Sequence, residues 1–409
     1  MTTAQSQHEF LVKKVNLVGV PPGIDFNSML QDDDGFLWLG TLSGLFRYDG
    51  TRMTRFLRDP ADSNSLTHNY ASTLTKDRKG NIWIGTFGGF VNRYNRVTGK
   101  IERIEPAVKN TERTVVRKII ISSDGNIVAA TAQAIYKISS AGKVSDSILI
   151  PAAEPMKNAA ITDVVEHEKD QYLITATTGL FIVDWKKQQM LPANFLPTGR
   201  PYTCIEKDNK GNFWIGSNTN FFIVRKDLSL EAGTIYRSNT SLVSEVNCMQ
   251  LDVTGRMWIG TAKGLFLADE KNITQINSNS NDSLSNITNL FIDKQKTVWV
   301  QSDRYLYQVF KPVILFKTIP GIQALAKNQL IQTILEEKPG YWNIGTRHGL
   351  YRYSFSSSQF EEIIITASKE NKPWIGAQLI DRNKGYWVGT WGQGVFYRTR
   401  NNYIYAIHQ

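Results

Sequence analysis

The chain has 409 residues and a formal net charge of +10, with 41% hydrophobic, 11% aromatic and 21% charged residues. This length exceeds one ordinary hydrophobic core and predicts either several domains or one architecture that adds cores by repetition. No apolar run reaches the roughly 18 residues of a membrane-spanning helix, and the basic residues are scattered among acidic ones, which argues against a membrane segment and against nucleic-acid binding.

The amino-terminal residues 1–10 are polar and lack the charged-then-apolar order of a signal peptide. Two interpretations fit this pattern: a cytoplasmic chain, or a form from which an export signal has been removed. Residues 10–20 (FLVKKVNLVGV) then predict a strand before the first full repeat. We expect this strand to close a ring as an outer strand.

From residue 32 onward the sequence repeats. The segment 32–50 reads DDDGFLWLGTLSGLFRYDG, and the same order of residue types returns from Lys76, Lys207, Leu251 and Asp381. One anchor position recurs nine times at intervals of 41 to 45 residues. The anchors are Trp38, Trp83, Val128, Leu173, Trp214, Trp258, Trp299, Asn343 and Trp387.

Each copy predicts four strands. Residues 70–77 alternate apolar and polar side chains as a first strand does, and an Asp-x-x-Gly turn leads to a second strand at 81–86. A glycine-bearing turn, a third strand such as 44–50 and a charged fourth strand such as 51–59 follow. The predicted fold is therefore an all-β β-propeller of about nine four-stranded antiparallel blades, in which the anchor tryptophans fill the layer between neighbouring blades.

Nine copies leave the architecture open. The copy around Trp299 has QSDRYLY where GTxxGL is expected, and VFKPVILFKTIPG at 309–321 departs from the usual outer strand. This erosion favours a seven-bladed propeller over residues 10–320 followed by two further blades of an incomplete second propeller over 321–409. A single nine-bladed ring is the alternative.

The motif D-x-x-G-x-x-W-x-G-T-x-x-G-L-x-x-Y, clearest at 32–48, resembles the two-component regulator propeller repeat, and the resemblance extends over essentially the whole chain. The resemblance implies a periplasmic or extracytoplasmic sensor region ahead of a membrane helix and an output module, a histidine kinase or a diguanylate cyclase. Members of that family typically carry two seven-bladed propellers and an immunoglobulin-like domain. We expect a fragment whose carboxy-terminal signalling module lies elsewhere.

Residues with catalytic or metal-binding chemistry are sparse. Cys204 and Cys248 occupy the same first-strand position in adjacent repeats, which predicts buried free thiols rather than a disulfide. The five histidines do not cluster, so we expect no metal, no cofactor and no catalysis in this chain. A single TGK at 98–100 is faintly similar to quinoprotein dehydrogenase repeats, too little to favour an enzyme.

The loops that lead into first strands and the turns between second and third strands open on one face of a propeller. Aromatic side chains there suit stacking on sugar rings, with amide and cationic groups fixing the orientation. Trp391 is the strongest candidate, because TWGQG inserts one residue relative to TAKG and carries two glycines. The other candidates are His68, Asn69, Tyr70, Phe87, Tyr202, Arg347, His348, Trp374 and Gln393.

The leading functional hypothesis is a ligand-sensing extracytoplasmic propeller of a bacterial signalling receptor, responsive to a small molecule or oligosaccharide such as a glycan fragment. A stand-alone protein-interaction scaffold in secretion or surface assembly is the second hypothesis, and a degenerate enzyme is the third. The sequence leaves the ligand, the output module and a homodimer open.

Overall fold

The computed structural model describes residues 10–17, 19–20, 24–104, 114–151, 159–235, 244–269, 272–277, 284–311, 319, 322, 330–366, 372–399 and 404–407. Its regular elements are strands, β1 to β36, which form nine four-stranded sheets with antiparallel pairing. Across these described ranges no helix has the length and apolarity to span a membrane. The predicted all-β fold with four-stranded blades is confirmed.

The chain divides into two compact units, Met1–Pro312 and Val313–Gln409. Seven sheets, blades 1 to 7, belong to the first unit. Its strands are β1 (Leu11–Val15); blade 1, β2 (Phe26–Gln31), β3 (Leu37–Thr41), β4 (Gly44–Tyr48), β5 (Met53–Phe56); blade 2, β6 (Ala71–Lys76), β7 (Ile82–Thr86), β8 (Val91–Tyr94), β9 (Ile101–Ile104); blade 3, β10 (Val116–Ile121), β11 (Ile127–Thr131), β12 (Ala134–Ile138), β13 (Val144–Leu149); blade 4, β14 (Ile161–Glu168), β15 (Gln171–Ala176), β16 (Gly179–Asp184), β17 (Gln189–Pro192); blade 5, β18 (Tyr202–Lys207), β19 (Phe213–Ser217), β20 (Phe221–Val224), β21 (Leu230–Ile235); blade 6, β22 (Val246–Leu251), β23 (Met257–Thr261), β24 (Gly264–Ala268), β25 (Ile273–Ile276); and blade 7, β26 (Ile287–Ile292), β27 (Val298–Ser302), β28 (Tyr305–Phe310).

Two sheets, blades 8 and 9, belong to the second unit. Their strands are β29 (Ile331–Lys338), β30 (Tyr341–Thr346), β31 (Gly349–Ser354) and β32 (Gln359–Ile363) in blade 8, and β33 (Trp374–Ile380), β34 (Tyr386–Trp391), β35 (Val395–Arg398) and β36 (Ile404–Ile407) in blade 9. The predicted boundary between residues 320 and 321 lies outside the described residues.

The amino-terminal strand completes blade 7. β1 pairs antiparallel with β28 from Leu11 opposite Phe310 to Val15 opposite Leu306, so the sheet order is β1-β28-β27-β26. This confirms that the residues after position 10 supply an outer strand. The first strands of blades 1 to 7 contact one another in sequence, and β26 contacts β2, so the seven sheets form a closed cycle.

Polar side chains connect the first strands across this cycle. Ser72 Oγ donates to the Val116 carbonyl at 2.6 Å, and Asn289 Nδ2 donates to the Phe26 carbonyl at 3.0 Å, which joins the last blade to the first. The same kind of bond recurs between other neighbouring blades, in the pairs Asn27–Ala71, Thr162–Tyr202, Thr203–Val246 and Asn247–Ile287.

The Asp-x-x-Gly turn and the anchor Trp form one hydrogen-bonded unit. In blade 2, Asp77 Oδ1 accepts the backbone N–H groups of Lys79 and Asn81, both at 2.9 Å, and Asp77 Oδ2 accepts Trp83 Nε1 at 2.9 Å. Six blades have this bond at 2.7 to 3.2 Å, in the pairs Asp32–Trp38, Asp77–Trp83, Asp208–Trp214, Asp252–Trp258, Asp293–Trp299 and Asp381–Trp387.

Most of these anchors lie in the core, as predicted. Trp38 and Trp83 are fully buried, and Trp214, Trp258 and Trp299 are at most 8% exposed. Trp387 is only partly buried and packs on Tyr397 with ring centroids 4.3 Å apart.

The erosion of the seventh repeat has a physical reason. In blade 5, a Cβ on Gly216 would lie 2.7 Å from Cys204 Sγ and 2.8 Å from Val246 Cγ1, so glycine is needed where the next blade approaches. Blade 7 has Gln301 at this position. Its Oε1 accepts the Phe26 backbone N–H at 2.8 Å, so the atypical residue forms a contact that closes the cycle.

Candidate functional site

An aromatic stack lies in the second unit. Trp374 at the start of β33 pairs directly with Trp391 at the end of β34, and their rings stack with centroids 5.2 Å apart and planes 25° apart. Arg347, in the turn between β30 and β31, places its guanidinium carbon 4.6 Å from the Trp374 ring centroid. Three predicted candidates thus form one group, the Arg347–Trp374–Trp391 stack.

The outer ring of this stack faces solvent. Trp391 is 67% exposed, whereas Trp374 is partly buried and its Nε1 has no hydrogen-bond partner among the described residues. A Cβ on Gly376 would lie 2.9 Å from Trp391 Nε1, so this glycine lets the indole lie close over the backbone. The site offers an open aromatic face on Trp391 and an exposed cation, Arg347, beside it.

Two further candidates lie in the same turns. His348 follows Arg347, is exposed, and its backbone N–H donates to Thr346 Oγ1 at 3.1 Å, which fixes the turn. Gln393 is partly buried in the turn after Trp391. The structure places both next to members of the stack in sequence.

The blade 2 candidates form a separate group. The His68 and Phe87 rings lie 5.0 Å apart, and His68 Nδ1 accepts the Tyr70 backbone N–H at 2.9 Å. Asn69 Oδ1 accepts the Arg58 backbone N–H at 2.7 Å. Burial and the nearby charge of Arg58 lower the pKa of His68, which favours the neutral imidazole. Much of the polar capacity of this loop is therefore used to hold its own conformation.

Tyr202 requires a correction. The residue was predicted to lie in an exposed loop, but it begins β18, is fully buried, and donates its hydroxyl to the Pro197 carbonyl at 2.8 Å. Its counterparts at the start of other first strands are also apolar and buried, among them Phe26, Val116 and Val246. That pattern in the sequence identifies a core position, and Tyr202 leaves the candidate site.

A cleft between blades 1 and 7 was missed by the sequence analysis. It has a volume of about 680 Å³ and polar walls that include Asp25, Asp303, Arg304 and Tyr305. The Arg304 side chain is exposed. The sequence feature that marks this cleft is the atypical segment 301–307, QSDRYLY, which was interpreted only as a junction between two rings.

The possible metal ligands and the two cysteines form no reactive site among the described residues. Among the described residues no group of three His, Cys, Asp or Glu side chains is arranged to hold a metal ion. Cys204 is buried, Cys248 is partly buried, and both are free, as predicted.

Three segments of the chain, residues 20–43, 65–88 and 196–219, match the two component regulator propeller family. These three segments are similar to the repeats of that family. The matched repeats include the Asp–Trp units of blades 1, 2 and 5. No curated protein sequence matches the chain.

Solved structures share the propeller fold at low sequence identity. The extracellular domain of a putative hybrid two component system from B. thetaiotaomicron is 20% identical with a TM-score of 0.61, covering 98% of this chain and 55% of that one. The extracellular domain of a putative one component system from the same organism is 15% identical with a TM-score of 0.56, covering 97% and 53%. The chain thus spans about half the length of these relatives.

A third solved structure is an enzyme. A catalytically inactive virginiamycin B lyase from Staphylococcus aureus with quinupristin is 13% identical with a TM-score of 0.59, covering 74% of this chain and 99% of that one. At such identities the likeness establishes the fold alone.

Proposed function

We propose that this chain is the extracytoplasmic ligand-sensing propeller region of a bacterial signal-transduction receptor, and that the Arg347–Trp374–Trp391 stack binds a glycan fragment. The repeat family and the fold shared with the extracellular domains of a putative hybrid two component system and a putative one component system support the sensing role. Signalling output then belongs to a module outside this chain. Residues 10–320 form the first propeller in this proposal, and 321–409 contribute two blades to a second.

The observation that carries the ligand proposal is the exposed Trp391 ring stacked on a fixed Trp374. The C–H face of a pyranose packs on an indole, and a rigid pair of rings loses little conformational entropy on binding. The exposed Arg347 adds donors at the edge of this surface, which suit sugar hydroxyl oxygens. This guanidinium is the polar group that would fix the orientation of the sugar.

Isothermal titration of the purified chain with a panel of neutral oligosaccharides tests the proposal. We expect saturable binding of at least one oligosaccharide that Trp391→Ala weakens at least tenfold, about 1.4 kcal/mol. The matched control is Tyr405→Ala, which removes another exposed aromatic from the same blade and should leave binding unchanged.

Two results would contradict the proposal: no oligosaccharide binds, or Trp391→Ala binds as the unchanged protein does. A stable protein partner in the absence of any small-molecule binding would favour the interaction-scaffold function instead.

A further inference from the structure

Equivalent grooves lie between the turns that join the first and second strands of two pairs of neighbouring blades. In the first unit a groove of about 450 Å³ between blades 5 and 6 is lined by Asp208, Trp214 and Asp269 among others. In the second unit a groove of about 470 Å³ lies between blades 8 and 9, and Glu337 takes the place of Asp208, six residues before the anchor. The two grooves therefore occupy the same position in the repeat.

The two grooves differ in charge. The blade 5–6 groove has Asp208 and Asp269 against Lys210. The blade 8–9 groove has three cationic side chains, Lys338, Lys384 and Arg398, against the single carboxylate of Glu337. We call the second one the Lys338–Lys384–Arg398 groove.

Glu337 does not neutralise this groove, because two arginines already share its carboxylate. Arg352 Nη2 lies 2.7 Å from Glu337 Oε2, and Arg398 Nη2 contacts Oε1. Asn343 Nδ2 also donates to Oε2 at 2.9 Å. Arg352 also pairs with Glu361 at 3.1 Å, so the two arginines and the two glutamates balance in charge. The positive charge of the groove therefore comes from Lys338 and Lys384.

The two lysines are exposed and have no described ion pair. Lys338 Nζ lies 4.3 Å from the Tyr341 ring centroid, and Lys384 has no described side-chain partner. Each ammonium retains N–H donors for a ligand. The walls also include apolar atoms of Ile380 and the buried Tyr386, which lower the local dielectric and strengthen charge interactions.

Lys384 also has an unusual backbone conformation. Its φ is +64°, a left-handed value that L-residues other than Asn and Asp rarely adopt. The equivalent position in the blade 5–6 groove is Gly255, and most of the other turns also have glycine there. Among the described turns of this kind, Asp170 and Lys296 are the only other residues that replace this glycine and keep a positive φ. The turn therefore carries a lysine side chain at a position where most copies of the repeat have glycine and so no side chain.

We propose that the Lys338–Lys384–Arg398 groove binds an anionic group, either the carboxylate of a sugar acid or free inorganic phosphate. The volume falls within the range of small-molecule sites, and converging ammonium and guanidinium donors suit carboxylate and phosphate oxygens. This site is distinct from the Arg347–Trp374–Trp391 stack and does not depend on the function proposed for it.

The test is isothermal titration of the chain at constant ionic strength with sodium D-glucuronate, inorganic phosphate and D-glucose. The key variant is Lys338→Gln/Lys384→Gln, which changes two exposed side chains and leaves the Glu337 network intact. Lys210→Gln in the blade 5–6 groove is the matched control, and a thermal melt checks that each variant folds.

We expect at least one of the two anions to bind saturably, with no binding of glucose. The double variant should weaken that binding at least tenfold, and Lys210→Gln should not change it. Binding of glucuronate alone identifies a sugar acid, and binding of phosphate alone identifies the free ion.

The proposal is overturned if neither anion binds, if glucose binds as well as glucuronate, or if the double variant binds as the unchanged protein does. Trp391→Ala separates the two sites, because it should weaken oligosaccharide binding at the stack at least tenfold and leave anion binding in the groove unchanged. The two proposals can therefore fail independently.

Discussion

Trp83 Nε1 donates a 2.9 Å hydrogen bond to Asp77 Oδ2, the carboxylate that also holds the turn six residues earlier. The bond connects the conformation of a surface turn to a fully buried ring in the layer between blades. Turn and core in one blade are therefore energetically coupled.

A double-mutant cycle measures this coupling. Asp77→Asn keeps the shape of the side chain, but an amide N–H that faces the indole N–H leaves the buried donor without an acceptor. We expect each of Asp77→Asn and Trp83→Phe to lower the unfolding free energy by about 1–3 kcal/mol. The double variant should cost less than the sum, with a coupling of about 0.5–3 kcal/mol in urea unfolding. Additive losses would show that the two residues act separately.

Acid should weaken the same contact. Burial alone raises the pKa of Asp77, but hydrogen bonds from Trp83, Asn81 and Lys79 outweigh burial and lower it. A carboxyl with a lowered pKa stabilises the fold above its unfolded pKa of about 3.9 and loses that contribution as the pH falls through the folded value. The stability advantage of the unchanged protein over Asp77→Asn should shrink below about pH 4. A constant difference from pH 7 to pH 3 would contradict this assignment.

Gln301 should stabilise the closure between blades 7 and 1. Gln301→Gly removes the acceptor of the buried Phe26 N–H, and we expect a loss of about 1–3 kcal/mol. Amide hydrogen exchange at Phe26 should accelerate in this variant. Gln332→Ala, at an exposed position on β29, is the control and should change neither quantity. Unchanged exchange at Phe26 would rule out the closing role.

Glu206 should make the first unit less stable as the pH rises. Burial raises the pKa of Glu206 to about 7. The negative charge of Asp163 adds to this increase, and the positive charge of Lys118 partly offsets it. The folded state therefore retains a proton that the unfolded state loses near pH 4.3, so stability falls between about pH 4.3 and pH 7. Glu206→Gln should flatten this slope and add on the order of 1–3 kcal/mol at pH 8. An unchanged pH profile would show that the carboxyl ionises normally.

The two thiols should be unreactive in the folded protein. Burial raises the pKa of Cys204 to about 12, and burial also raises that of Cys248. Thiolate is the reactive form, so a disulfide reagent at pH 8 should label neither cysteine without denaturant and both with it. Fast labelling of the native chain would place at least one thiol at the surface.

The local signals in the sequence predicted the elements well. Alternating side chains, Asp-x-x-Gly turns and a spacing of 41 to 45 residues specify strands and turns within one repeat, because those interactions involve neighbours in sequence. The amino-terminal strand was also predicted, although its partner β28 lies almost three hundred residues away.

Contacts between separate strands were harder to predict. Arg347 and Trp374 meet because a turn of blade 8 lies beside the first strand of blade 9, and no local pattern specifies that approach. Tyr202 was assigned to the loop before β18, although it aligns with Ala71, which lies inside the strand predicted at 70–77 and is buried. The blade 1–7 cleft depends on ring closure, which the atypical segment 301–307 alone does not specify.

The Asp–Trp unit has a consequence for how these repeats diverge. The three copies that lack the tryptophan, at Val128, Leu173 and Asn343, also lack the aspartate, with Ser122, His167 and Glu337 six residues earlier. A lone indole N–H or a lone carboxylate in that layer is costly, so either single loss passes through a destabilised chain. A copy that has lost both cannot regain the unit by one substitution. Each duplicated copy therefore either retains the Asp–Trp pair under selection or loses both residues, and the loss is then hard to reverse. A copy without the pair can acquire new surface chemistry at these positions.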